Sequence, residues 1–575
     1  MFFIFSLEEM QHNKQSIQTL NEDILIMIFR LLPIRDKILF ERTCSQWHKL
    51  LRQSWTRYNH LDFSLSLWGA QPFYSLNDTV LNLNSTNANM IKSAIIRCGS
   101  YLKTINFDHL GLSKQIPNIY KFKCTNNCLL KVIGKCCIRL QTIKIRICCI
   151  DGLKALADSC STLKSMHFFG QQHFDFGVVN KLLHSIIQKN DNLNSIKLND
   201  VKSTKFLLDM HQKLEKLSLC VTECYDTNSE NILASCIEHS SETLKIFALK
   251  TIELDFHIIS NALQLCKKLT KLKIHVQVPA KHYTELQYSK IFSQCRKLEN
   301  ISIKGLHFNH FNEQRQFLGY IDNYWLNYIN PMPLKKLSLF ADAVSRKYLL
   351  KELPIFFNLK SLCLTGIESD DERKIGDSIG MFINLESFKL SECNLSMKTS
   401  QDHYLFKRLT KLKNLIIQFN YSRNLDENDL VRFISLNLSE IESLTLGLID
   451  LTDFGLKYLL ILPKLQSLSL FGNYKLCGSN LFKLRNLRYL ECLGCKTLQD
   501  TSIKLLIKES INLNELIIFH CPQITSDILK CAIRIKKLRK SNESTLTITG
   551  NIRNIRAHRF KQFYPGVDIS LVDLN

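Results

Sequence analysis

Proline and glycine are scarce in this chain, 10 and 19 among 575 residues, which leaves little material for long flexible linkers. Apolar runs are short as well. None approaches the roughly 18 residues that a membrane span needs. The opening MFFIFSLEE is brief and runs into acid where a secretory signal would carry a small-residue cleavage site. The expectation is a soluble protein of the cytoplasm or nucleus with no membrane partner. Motifs of chemistry are missing too: there is no G-x-S-x-G elbow, no glycine-rich phosphate loop, no H-E-x-x-H and no cysteine in a nucleophile's context. Neither an enzyme nor a bound cofactor is expected. Acid is the scarcer charge, with 52 Asp+Glu against 75 Lys+Arg and a net charge of +23.

What the chain has in abundance is one repeated phrase. LPKLQSLSLFGN (Leu462 to Asn473), LRNLRYLECLGC (Leu484 to Cys495) and INLNELIIFHC (Ile511 to Cys521) share Leu-x-x-Leu-x-Leu-x-x-Asn/Cys. Its leading apolar residue recurs at Leu102, Leu140, Leu163, Leu193, Leu214, Leu244, Leu269, Leu298, Leu334, Leu359, Leu385, Leu412, Ile441, Leu465, Leu487 and Leu513, and a weaker copy ends at Leu546 to Ile548. Slots four and six alternate as in a strand and point inward, as Leu468 and Leu470 do. Stretches between phrases, such as LTDFGLKYLLIL and TSIKLLIKES, have helical spacing. Each unit is therefore a strand plus a helix. One unit cannot bury its apolar face alone, whereas stacked units share theirs, so the fold class is an α/β solenoid with parallel strands on the concave side and helices on the convex side.

The 21 cysteines fall largely into repeat slots. Cys160, Cys266 and Cys295 precede a leading leucine by three, and Cys148, Cys393, Cys495 and Cys521 follow one by eight, where Asn473 stands in its own repeat. Reduced structural thiols are expected. Cys124 with Cys128, Cys136 with Cys137 and Cys148 with Cys149 lack a repeated C-x-x-C and regular histidine partners, so no metal is assigned.

Ahead of the repeats lies LNEDILIMIFRLLPIRDKILFERTCSQWHKLL, Leu20 to Leu51. Asn21 can cap a first helix with Glu22 and Asp23 in its opening turn, and Pro33 closes it. Two short helices are expected near Asp36 to Arg42 and Ser45 to Arg52. Ile24, Leu25, Ile28, Phe29, Leu31, Leu32, Ile38, Leu39, Trp47 and Leu50 give about 35 residues more apolar surface than they can hide. A first strand is expected in YNHLDFS.

In order and spacing, Leu20, Glu22, Ile24, Leu25, Ile28 to Phe29, Leu32 to Pro33, Asp36, Cys44 and Trp47 resemble the F-box pattern, with Asn21 where the family usually has proline. The repeats resemble the leucine-rich repeat family, and GCKTLQDTSIKLL and HCPQITSDIL its cysteine-containing branch. The resemblance to F-box/leucine-rich-repeat proteins implies a substrate receptor of an SCF-type ubiquitin ligase. On that reading a Skp-type adaptor, itself bound to a cullin, docks on Leu20, Glu22, Ile24, Leu25, Ile28, Phe29, Leu32, Pro33 and Trp47. The expected boundaries are a tail at 1–15, the F-box at 16–62, a linker and cap at 63–100, repeats at 101–535 and a final repeat or cap at 536–575. The F-box is expected to be separable from the repeats.

Slots three, five and seven should face away from the core. From Leu102 to Leu385 they hold Lys144, Arg146, Lys197, Lys216, Lys250, Lys271, Lys273, Lys304, Lys336 and Lys389 against one acid, Asp108, an excess beyond what the overall charge explains. The last copies carry Phe471, Tyr489 and Phe519 with Glu491 and Glu515. The expectation is a bipartite surface, a basic central channel for an acidic or phosphorylated protein segment and an apolar end pocket that anchors an aromatic or aliphatic side chain. The other class of function compatible with the charge is a basic scaffold for nucleic acid or another anionic partner, although no nucleic-acid motif appears and IKKLRK (Ile535 to Lys540) is the densest basic patch.

Overall fold

The computed structural model describes residues 20–62, 75–77, 80–82, 85–106, 128–146, 150–169, 175–221, 228–251, 254, 256–277, 286–306, 333–340, 358–365, 368–369, 379–391, 394–395, 404–418, 426–538, 546–550 and 567–571. Cys124, Cys148, Cys149, Cys393, Asp108 and Lys540 lie outside them. Two compact units are present, 1–200 with 205–212, and 201–204 with 213–575.

The first unit opens with three helices, α1 (Glu22–Leu31), α2 (Ile34–Phe40) and α3 (Ser45–Ser54). Asn21 caps α1 as expected, its side chain accepting from the Asp23 amide at 3.2 Å. Helix α2 starts two residues earlier than the sequence suggested. Pro33 stands at its N-cap and has no amide to satisfy, so the helix begins directly behind it. Strand β1 (His60–Asp62) follows, then a short antiparallel pair, β2 (Ser75–Asn77) and β3 (Val80–Asn82). Four more strands are separated by helices: β4 (Thr104–Asn106), β5 (Thr142–Arg146), β6 (Ser165–Phe169) and β7 (Ser195–Val201). They run parallel to β1 in the order β1, β4, β5, β6, β7. Along each strand Ile105, Ile143, Met166 and Ile196 are buried, while the residues on either side of them stand on the other face.

The second unit repeats the plan. Parallel strands from Lys216–Val221 to Leu546–Gly550 pair in chain order, with residues of like slot in register, such as Leu444 opposite Leu468 and Leu468 opposite Leu490. One more strand, Val567–Leu571, pairs with Leu546–Gly550 and extends the sheet past the last phrase visible in the sequence. Helices Asp453–Tyr458 and Asp500–Glu509 fall where the spacing placed them.

Side chains at fixed slots stitch the repeats together. Asn473 donates to the Leu448 and Leu451 carbonyls (3.0 and 2.8 Å) and accepts from the Lys475 and Leu476 amides (3.0 and 2.6 Å). The Cys521 thiol occupies the same slot and reaches the Cys492 carbonyl at 3.5 Å. Just before this slot the chain turns through left-handed backbone at Gly472, Gly494 and His520, a conformation glycine adopts without strain. Acids at helix starts form a second set of ties: Asp453 accepts from Cys477 and Ser479 amides at 3.0 and 2.7 Å, and Glu427 from Ile449 and Asp450 amides at 3.3 and 2.6 Å.

Cys160, Cys266 and Cys295 are buried, and burial pushes their thiols up to about 11, 12 and 12. They are packing residues that stay protonated. Among the described residues no cluster of three or more metal-ligating side chains occurs, and no helix is long and apolar enough to cross a membrane.

Candidate functional site: the N-terminal helical surface and the outer sheet face

Helix α1 has two apolar stripes with opposite fates. Leu25, Ile26 and Phe29 turn inward and pack with Leu50 and Leu51 of α3. Leu32, Phe40 and Trp47 close over this core, and the Trp47 ring meets Phe29 edge-on at 5.3 Å and Phe40 at 5.4 Å. The other stripe runs Leu20, Ile24, Met27, Ile28 and Leu31 at helical spacing and is exposed, 62% at Met27 and 87% at Leu31, with Leu39 of α2 exposed as well. Such a continuous apolar strip is what a partner covers.

The expected docking residues therefore divide. Leu20, Glu22, Ile24 and Ile28 are on the surface; Leu32, Pro33 and Trp47 are half-buried; Leu25 and Phe29 are core. The last two hold the surface in place from beneath, because the three-residue and four-residue steps of α1 rotate them away from Ile24 and Ile28. Met27, which the pattern did not single out, belongs to the exposed strip.

The helices are locked to the first repeat. The buried Glu41 carboxylate accepts the Trp55 indole N–H at 2.9 Å and pairs with Arg97 on the helix Ser85–Cys98. Nearby Lys37 is buried on α2, and its ammonium donates to the Tyr58 hydroxyl at 2.6 Å and to the Arg30 carbonyl at 3.3 Å. Burial, with Arg30 nearby, lowers its pKa to about 8. With β1 built into the sheet of the repeats, the helical segment and the first repeats make one compact unit.

Residues 17–57 match the F-box domain family. The chain carries an F-box. Leucine-rich repeats follow it, as the strand register and inward leucines of both units show. No curated protein matches the chain. Among solved structures it is similar to an internalin (inlF) of Listeria monocytogenes strain 4b F2365, 15% identical with a TM-score of 0.30 over 74% of this chain and 94% of that one. It is likewise similar to TLR13 in complex with ssRNA13, 15% identical with a TM-score of 0.30 over 82% of this chain and 70% of that one.

Beyond the F-box, the outer sheet faces carry the lysines. In the second unit Lys271, Lys273 and Lys336 are exposed, and Asn300 lies between Lys271 and Lys336 in register; Lys389 is half-buried two strands further on. Register sets Lys250, His275 and Lys304 side by side on consecutive strands. The side chains of Lys304 and, in the first unit, Arg146 lie outside the described residues, while Lys144 is half-buried on β5.

At the end where the apolar pocket is expected, the side chains differ in burial. Phe471 and Tyr489 are half-buried, but Phe519 is 4% exposed, and slot five is buried in succession at Thr445, Ser469, Glu491 and Ile517. The reason is Glu491, which is fully buried and draws in the Ser469 hydroxyl at 2.9 Å and the Tyr489 hydroxyl at 3.0 Å. Burial, with Glu491 beside it, raises the pKa of both Tyr489 and Glu515.

Proposed function

We propose that this chain is a substrate-recognition subunit of an SCF-type ubiquitin ligase. Its F-box takes a Skp-type adaptor, which brings a cullin, and the outer face of its repeats takes a client protein. The observation that carries the reading is the exposed strip of Ile24, Met27, Ile28, Leu31 and Leu39 on a domain whose own core is already complete. Covering a strip of this kind is worth roughly 25 cal/mol for each Å² of apolar surface removed from water, so a few large side chains dominate the contact.

The chain's part is non-catalytic: it positions a client, and the transfer chemistry belongs to the assembled complex. Lys271, Lys273 and Lys336 favour an acidic or phosphorylated client segment. Phe471 and Tyr489, both half-buried, stand on strands further along the sheet and offer aromatic contacts to a client. Affinity purification from cells with identification of the captured proteins tests the whole reading. It should recover adaptor, cullin and a client, and charge reversal at Lys271, Lys273 and Lys336 should lose the client alone. Recovery of nucleic acid without adaptor would replace it with the basic-scaffold reading.

A further inference from the structure

Two consecutive repeats of the second unit gather three thiols in one place. Cys492 lies on the strand Tyr489–Leu493, Cys495 follows in the turn, and Cys521 stands in the matching turn after the strand Glu515–Phe519. All three are buried and free. The two turns are copies of each other: Leu493 is opposite Phe519 in register, left-handed backbone follows at Gly494 and His520, and each cysteine comes next. Their sulfurs repeat the same contacts one strand apart. Cys495 Sγ lies 3.7 Å from the Leu470 carbonyl oxygen and 4.0 Å from that of Leu493, and Cys521 Sγ lies 3.5 Å from that of Cys492 and 3.4 Å from that of Phe519. Because Leu470 is opposite Cys492, a shift of one strand spacing, about 4.8 Å, carries the first turn onto the second. That separation falls inside the roughly 4.4 to 6.8 Å between Cα atoms that a disulfide spans.

Proximity alone does not single this pair out, since Cys266 and Cys295 also share one slot in consecutive repeats, with Cys295 Sγ 3.4 Å from the Cys266 carbonyl oxygen. The third sulfur makes the difference. Cys495 receives hydrogen bonds from the thiols of Cys492 and Cys521 and from the Asn473 amide, and these hold its pKa well below the usual thiol range, whereas burial pushes Cys266 and Cys295 up to about 12. A thiolate with a thiol at bonding reach is an attacking sulfur with its resolving partner in place. Exposed Lys496 and His520 flank the pair, so both sulfurs lie a single residue beneath the surface, within reach of an oxidant as small as hydrogen peroxide.

We infer that Cys495 and Cys521 form a reversible disulfide driven by hydrogen peroxide, a cross-link between two repeat turns, with Cys492 as the hydrogen-bond donor that readies Cys495. The Cys495 thiolate attacks one peroxide oxygen: an S–O bond forms, the O–O bond breaks, and hydroxide leaves and takes up a proton. Cys521 then gives up its proton and displaces hydroxide from the sulfenic acid, so the S–S bond forms, the S–O bond breaks and a second water departs. The two thiols lose two electrons together, and the peroxide gains them. A thiol reductant reverses the step by exchange at the disulfide. Once formed, the link closes the chain between the two turns and holds the strands before them together, which slows their opening. Nothing in this chemistry depends on the substrate-receptor reading.

The test treats the reduced, folded full chain with hydrogen peroxide, blocks the remaining thiols, and maps the digested peptides by mass spectrometry over time. A Cys495–Cys521 peptide pair should appear at least tenfold faster than any Cys266–Cys295 pair and vanish on treatment with dithiothreitol. Cys492→Ala should slow its formation several-fold, and Cys492→Ser, which keeps a donor, should restore the rate, a distinction that a merely structural residue would not make. Dimedone, a trap for sulfenic acid, should mark Cys495 in the wild-type chain, so the attacking sulfur is identified without a variant. Failure of the pair to form, or formation no faster than Cys266–Cys295, overturns the disulfide. A Cys492–Cys495 link in its place overturns Cys521 as the partner, and dimedone on Cys521 in place of Cys495 overturns the assignment of the attacking sulfur.

Discussion

Glu41 and Arg97 stand 56 positions apart in sequence and share a hydrogen-bonded ion pair, with the Glu41 side chain 2% exposed and that of Arg97 24%. The pair fastens α2 of the F-box to the helix of the first repeat, so the docking surface has a fixed seat within the first unit.

Arg97→Ala leaves the Glu41 carboxylate buried without its cation. Breaking a buried pair from one side costs about 3 to 5 kcal/mol, and the partial exposure of Arg97 puts this case at the low end. Denaturant unfolding of the full chain should show the loss in the first unit. By the same reasoning, a chain lacking residues 1–62 loses Glu41 and β1 together, and amides of Thr104 to Asn106 should exchange rapidly in it, since they form the sheet edge once β1 is gone.

Phe29→Ala and Leu31→Asp separate core from surface on one helix. The first removes a ring that packs on Trp47 and should cost about 3 to 5 kcal/mol. The second changes a side chain that is 87% exposed and should leave stability within about 0.5 kcal/mol while weakening adaptor binding. Thermal melting and adaptor titration on both variants check the pair.

Lys37 sets a pH dependence whose sign is fixed. Its folded pKa, about 8, lies below the ordinary 10.5, so the unfolded chain binds more protons between those values. The cost of burying the charge, a few kcal/mol, is complete below pH 8 and disappears as pH rises toward 10.5. The thiols work the other way. Cys98, Cys236, Cys266 and Cys295, all raised to about 12 by burial, contribute stability that is present below pH 9 and lost as pH rises through their folded values. Whole-chain stability should therefore fall above pH 9. The difference between wild type and Lys37→Met isolates the lysine, and it should shift in favour of wild type from pH 8 to 10.5.

Asn473→Ala removes two donor and two acceptor contacts at once and strands the carbonyls of Leu448 and Leu451 in a buried turn. At about 1 kcal/mol for each hydrogen bond, the loss should be roughly 2 to 4 kcal/mol. Faster exchange at Lys475 and Leu476 locates it.

The repeats were legible in the sequence because each is a local signal: Leu468 and Leu470 alternate within a few residues, and the slot of Asn473 and Cys521 has a backbone task that few side chains perform. The F-box helices were legible for the same reason, from Asn21 to Pro33. What escaped depends on distance. Nothing near Glu41 points to Arg97, and nothing near Lys37 announces that the Tyr58 hydroxyl will accept its hydrogen bond. Slot five of the last repeats faces outward along the strand yet is buried at Thr445, Ser469, Glu491 and Ile517, which strand periodicity does not encode. Leu25 and Phe29 belong to the core of the helical segment, and a motif, which records which residues matter together, is silent on that division.

The most direct measurement is calorimetric titration of the full chain with a purified Skp-type adaptor, on wild type and on a variant carrying Met27→Glu and Leu31→Asp. The account predicts wild-type binding at micromolar affinity or tighter, with a negative heat-capacity change from apolar burial, and loss of at least tenfold in the double variant at unchanged melting temperature. Absence of wild-type binding at micromolar concentrations, or equal binding by the variant, would contradict it.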